Sequence, residues 1–172
     1  WKNHDKIVLD KKIKIVKKIH KFFSGKVYKG PYKNLKLSIK ENWSIDLGSK
    51  LLGIYELEVQ KAIEKLCAKK NIKIFINYGA AEGYHLTGVL KKKLAKFGIG
   101  VEISKDSISI LKKNLKLNNL EKRVKVIQKL NLNNIGKFIS NKDIKKTLFL
   151  IDIEGDEYDL INSNNIQFIN KS

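Results

Sequence analysis

Cysteine is nearly absent from this chain. Cys67 is the only one in 172 residues, so no intrachain disulfide can form, and a reducing, cytoplasmic setting is expected. Its neighbourhood, Ile63 to Ala68, reads as a buried helix face, which favours a packed thiol over a reactive one. Proline is as scarce: Pro31 alone marks no long flexible linker. Methionine is missing altogether, and with a start at Trp1 this gives the expectation of a fragment or a trimmed chain. Long apolar runs are lacking too. The mean hydropathy is -0.31 and the apolar stretches are only a few residues long, which excludes a membrane-spanning helix. The first dozen residues are basic and interrupted, without the apolar core of a signal peptide.

The scarcity of arginine tempers the charge. A net +19 invites a nucleic-acid partner, because clustered cations bind phosphates by counterion release. Arg123 is the only arginine, however, and the lysines are spread along the whole chain. Specific readers of nucleic acid rely on the bidentate guanidinium, so the lysine excess, alongside abundant Asn and Ile, fits the codon bias of an AT-rich genome better. Nucleic acid is therefore kept as an alternative partner and not favoured.

With 42% hydrophobic residues, the chain can bury one sizeable core. Residues 6 to 23 have Leu9, Ile13, Val16, His20 and Phe23 on one helical stripe, with lysines off it. His20 in that stripe reads as a packed histidine, and the helix is expected to pack on its own domain in preference to an anionic membrane surface. Residues 26 to 39 alternate about Gly30-Pro31, as a hairpin does. A helix is expected over Lys50 to Lys69. From Lys70 the rhythm becomes strand, helix, strand, helix. The strands are Ile72 to Ile76, Ile99 to Ile103, Val124 to Ile127 and Thr147 to Ile151. The helices are Tyr84 to Phe97, capped by Gly98, and one opening at Asp106 and ending near Asn118-Asn119. This alternation predicts an α/β fold with a parallel sheet and helices on both faces. The division is a basic appendage over 1–47, helix plus hairpin, and a Rossmann-like cofactor-binding domain over 48–172.

In open α/β sheets ligands bind at the carboxyl ends of the strands, near the switch in strand order. The first such end is Asn77-Tyr78-Gly79-Ala80-Ala81-Glu82-Gly83. A dinucleotide fingerprint wants glycine where Gly79, Ala81 and Tyr84 stand, and Glu82 puts a negative charge where a phosphate would sit. No Walker-type Gly-Lys-Ser/Thr sequence is present either. The loop therefore disfavours phosphates. Glu102, at the end of the second strand, is placed to accept hydrogen bonds from both hydroxyls of a ribose. Asp152 and Glu154 flank Ile153 after the fourth strand, on one side of it. Such a pair can orient an amino group, bind a substrate hydroxyl or accept its proton, or else form a capping cluster with Asp156 and Glu157 at the start of a following helix.

The run Phe75 to Tyr84 resembles the cofactor loop of class I S-adenosylmethionine-dependent methyltransferases. Val101-Glu102-Ile103, with Leu111-Lys112-Lys113-Asn114 to Asn118-Asn119, is similar to their second strand and the helix after it. Leu150 to Leu160, with Asp152-Ile153-Glu154-Gly155, resembles the Asp-x-Glu-Gly segment of the FkbM-type members, and Gly48 to Glu56 is similar to a lead-in of that group. The resemblance implies a Rossmann-like class I methyltransferase fold, incomplete at the C-terminus, since such a fold has seven strands and only four can be placed. It implies S-adenosylmethionine as cofactor, held by Asn77, Tyr78, Gly79, Ala80, Glu102 and Asp152. It also implies methyl transfer to an O or N atom of a small molecule or glycan, with Glu154 or Asp152 as base and no metal. That cofactor has no phosphate and carries sulfonium and ammonium cations, which suits an acidic loop. The alternative is a lysine-rich nucleic-acid-binding module, or a methyltransferase acting on RNA.

Overall fold

The structure, a computed structural model, describes residues 2–39, 44–130 and 132–153. Four parallel strands, β1 (Ile74–Tyr78), β2 (Phe97–Val101), β3 (Val124–Ile127) and β4 (Thr147–Ile151), lie in the order β3-β2-β1-β4. The chain steps outward from β1 through β2 to β3 and then crosses back to the other side of β1. The strand order thus reverses between β1 and β4, which opens a crevice at their carboxyl ends. This is an α/β architecture compatible with a Rossmann-like fold.

Alternation along the strands sorts the core into two clusters. Phe75, Val124, Val126, Leu148 and Leu150 face one way, against Ile63 and Cys67 of α3 (Leu57–Lys70), Leu86 and Leu90 of α4 (Tyr84–Lys91), and Leu111 and Leu115 of α5 (Lys105–Leu117). Ile76, Tyr78, Ile99 and Val101 face the other way. Among the described residues, no long helix covers this face. Leu130, Leu132 and Ile139 provide the cover, from a segment that turns through a short 3-10 helix (Leu132–Lys137) before the one-turn α6 (Asn141–Ile144).

The N-terminal part joins the first cluster. Val16 of α1 (Lys2–Phe22) packs with Leu47 and Leu51 of α2 (Ser44–Leu52), while Val27, Tyr32, Leu35 and Leu37 are buried in the same cluster as the sheet. Two asparagines of the α5 side stitch it down: Asn114 Oδ1 accepts the Ser38 N–H (2.7 Å), and Asn118 bonds both the N–H and the carbonyl of Lys36. The expected hairpin is reduced to one antiparallel bridge between Lys26 and Lys36, closed by Val27 and Leu35 backbone bonding. His20 Nε2 lies 2.9 Å from the Leu37 carbonyl and holds the end of α1 to this segment.

Five expected boundaries are corrected. β1 and β2 pair over Ile74–Tyr78 and Phe97–Val101, two residues later and two earlier than the runs Ile72 to Ile76 and Ile99 to Ile103. The single helix over Lys50 to Lys69 is two, α2 and α3, broken over Gly53 to Glu56. A Cβ on Gly53 would meet the Lys29 carbonyl oxygen at 1.9 Å, so the chain turns where the N-terminal segment crosses it. The helix from Tyr84 stops at Lys91. Gly98 is not its cap but lies within β2, where a Cβ would press on Leu86 and Leu90 at 2.7 and 2.9 Å; it lets α4 lie close on the sheet. Finally, α5 is capped by Ser104, whose hydroxyl accepts the Ser107 N–H, and Asp106 falls in its first turn. The helix expected from Asp156 lies outside the described residues.

Candidate functional site

The sheet register brings three strand ends level. Tyr78 pairs with Val101 on one side and Ile151 on the other, so Gly79, Glu102 and Asp152 leave the sheet together. Gly79 has φ +70, and a Cβ there would meet the Asp152 carbonyl oxygen at 1.7 Å. Glycine at this position is thus demanded by the close passage of the chain after β4. The loop then turns through left-handed Ala81 (φ 45) and Gly83 (φ 79) into α4.

Its amides are largely spent inside the protein. Gly79 and Ala80 donate to the Val101 carbonyl, Gly83 donates to Ala80, and the Ala81 N–H donates to Glu102 Oε2 at 2.8 Å. The other oxygen of Glu102 accepts the Ser104 N–H at 2.7 Å. Glu102 therefore ties the β1 loop to the end of β2 and is oriented by two N–H groups, while each oxygen keeps a further lone pair.

Above the loop is a shallow hollow, open to solvent, lined by Asn77, Gly79, Ala80, Ala81, Leu150 and Asp152 from the strand ends. Lys50, Tyr55, Glu56, Glu82, Tyr84 and His85 complete its wall. Of the residues expected at a cofactor, Asn77, Gly79, Ala80 and Asp152 thus meet around one space, with Glu102 behind Ala81. Asp152 is exposed and its N–H is fixed to the Tyr78 carbonyl at 3.0 Å. Tyr78 goes elsewhere. Strand alternation turns its ring into the opposite cluster, so only its carbonyl stands near the loop. Glu154 lies outside the described residues.

The wall opposite the strands holds a polar network that the sequence did not reveal. The Lys50 ammonium, 4.4 Å from the Tyr55 ring centroid, forms a buried ion pair with Glu82 Oε1, and Glu82 Oε2 is buried without a hydrogen-bond partner among the described residues. His85 Nε2 is 2.8 Å from Glu56 Oε2, and Nδ1 is 3.3 Å from the Tyr32 hydroxyl. Burial lowers the imidazole pKa below its ordinary value, although Glu56 opposes this. Burial also raises the hydroxyls of Tyr32, Tyr55 and Tyr84, so these rings stay neutral. The break between α2 and α3 swings Tyr55 and Glu56 to this wall. The one local sign of it was Gly53 inside an otherwise helical pattern.

With His85 neutral, the lining carries one ammonium against the three carboxylates of Glu56, Glu82 and Asp152. The hollow is locally acidic in a chain of net charge +19. Among the described residues, no group of three or more His, Cys, Asp or Glu is placed to hold a metal ion, and no helix is long and apolar enough to cross a membrane. No protein-family model and no curated protein sequence matches the chain.

Proposed function

We propose that the hollow binds S-adenosylmethionine and that the protein transfers its methyl group to an oxygen or nitrogen of a small molecule or glycan. The observation that carries the reading is the acidic lining at the carboxyl ends of β1 and β4 in an otherwise strongly basic chain. A phosphate-bearing ligand would meet Glu56, Glu82 and Asp152, and would find the Ala81 amide already given to Glu102. A ligand carrying ammonium and sulfonium groups is favoured by the same charges.

The donor set fits that ligand. The lone pairs left on Glu102 suit ribose hydroxyls, since its two amide partners leave the carboxylate oriented and only partly used. Asp152 and the buried Asn77 amide stand where the ammonium end would lie. When bound, the cofactor supplies an electrophilic methyl group. The residues around it supply position: holding donor and acceptor at attack distance accounts for most of the acceleration of an in-line displacement. Asp152 is solvent-facing and free to take a proton from an acceptor hydroxyl, and Glu154, two residues on, is the second candidate base.

Calorimetry with S-adenosylmethionine and its demethylated product tests the reading. The folded chain is expected to bind both, and Glu102→Ala to weaken binding by roughly tenfold or more, the loss of one or two charge-assisted hydrogen bonds. Binding of neither compound would sink the proposal.

A further inference from the structure

Among the described residues, helix α1 packs one face against the rest of the chain. Val16 turns toward α2 and the core, and Ile19, one turn from Ile15, is partly buried at the margin of that face. Val8, Ile15 and Phe22 recur every seven residues along the edge of that face and are 37%, 57% and 82% exposed, and Ile7 and Leu9 are exposed on the flanks of the first turns. Each step of seven advances a helix by nearly two full turns, so the three side chains form one line along the rod. Lys11, Lys14 and Lys18 are exposed beside that line, away from Val16. The apolar row is thus solvent-facing and bordered by cations along its length.

Charge decides what such a row can meet. The helix carries eight lysines against two aspartates, so a second copy laid along it would bring like charge against like charge. A nucleic acid would satisfy the lysines but leave Ile15 and Phe22 in water, and none of these cations is an arginine. A bilayer surface containing anionic lipid satisfies both. The apolar side chains enter the boundary between headgroups and acyl chains while the lysine heads stay at the level of the lipid phosphates.

We propose that α1 is a peripheral membrane-docking helix, which lays the Val8, Ile15 and Phe22 row into an anionic lipid surface. The helix lies parallel to the bilayer and does not span it. The hollow at the strand ends takes no part, so the proposal is independent of the methyl-transfer reading.

Co-sedimentation of the full chain with vesicles tests it. The vesicles are of phosphatidylcholine alone, or of phosphatidylcholine mixed with phosphatidylglycerol. Binding is expected to the mixed vesicles and to be weak to the neutral ones. Replacing Lys11, Lys14 and Lys18 together by Gln should lower the affinity on the order of a hundredfold. Phe22→Ser should lower it by about tenfold or more at unchanged net charge, and Ile15→Ser provides a milder apolar loss. All five positions are exposed, and far-ultraviolet circular dichroism checks that each variant is folded. Failure of the folded chain to bind mixed vesicles overturns the proposal. So does binding that Phe22→Ser and Ile15→Ser leave unchanged, which would mark a purely electrostatic contact. Retention of single-stranded RNA without retention by mixed vesicles would likewise overturn it, in favour of a nucleic-acid face.

Discussion

Lys50 and Glu82 face each other in a place where an unpaired charge is costly, since their side chains are only 10% and 11% exposed. Removing one partner strands the other. Lys50→Met should cost about 3–5 kcal/mol, whereas changing both residues to apolar ones of similar volume should restore most of the loss. Urea denaturation of the two single variants and the double variant reads this directly; additive losses would contradict the pairing. Gly79 is constrained by backbone, not by a flexible side chain. Gly79→Ala combines left-handed strain with contact on the Asp152 carbonyl, and is expected to lose at least about 2 kcal/mol. A variant as stable as the parent would mean that the chain after β4 passes farther away.

His85 gives a pH dependence with a definite sign. Its folded pKa lies below its ordinary value of 6.5, so as pH falls below about 6.5 the unfolded state takes up a proton that the folded state does not. Its effect on stability is nil above that value. The penalty grows as pH falls from there toward the folded pKa. Thermal melts at descending pH should show the decline, and His85→Asn should flatten part of it. An unchanged slope would show that the imidazole is not held neutral.

At the scale of elements, the only arginine is committed to architecture. Arg123, just before β3, donates to the carbonyls of Leu90, Ala95 and Lys96 (3.1, 2.7 and 2.8 Å), which closes the turn between α4 and β2. A lysine cannot reproduce this fork. Arg123→Lys should cost roughly 1–3 kcal/mol in chemical denaturation and leave ligand affinity unchanged. This use of the guanidinium also bears on the nucleic-acid alternative, because the residue best suited to phosphate is occupied at the far end of the sheet from the loop.

The same scale shows what was legible in the sequence. β3 and β4 have the bounds that their apolar runs gave, because polar residues flank them on both sides. The break between α2 and α3 was not readable, since it depends on the Lys29 carbonyl, more than twenty residues away. Gly98 was misplaced because a glycine after a helical pattern reads as a cap. Here the helix ended earlier, and the glycine makes room for Leu86 and Leu90. The loop from Asn77 to Gly83, with Glu102 and Asp152, was legible as a group because each residue directly ends or follows a strand. Lys50, Glu56 and His85 were not, because only the packing of α2 and α3 against α4 brings them to the same wall. Tyr78 reads in sequence as part of the loop, although strand alternation assigns its ring to the other face.

Over the whole molecule, charge is distributed unevenly in a way that composition conceals. The lysine excess covers the surface, including the exposed face of α1, while carboxylates gather at one end of the parallel sheet. Under the proposed function, this acidic end selects an adenosyl ligand bearing cations over one bearing phosphates. Titrating the chain in a calorimeter with S-adenosylmethionine and, separately, with NAD compares two ligands that share the adenosyl group and differ in charge. Saturable binding of S-adenosylmethionine and no measurable binding of NAD are expected. Tighter binding of NAD, or binding of neither, would contradict the proposed selection.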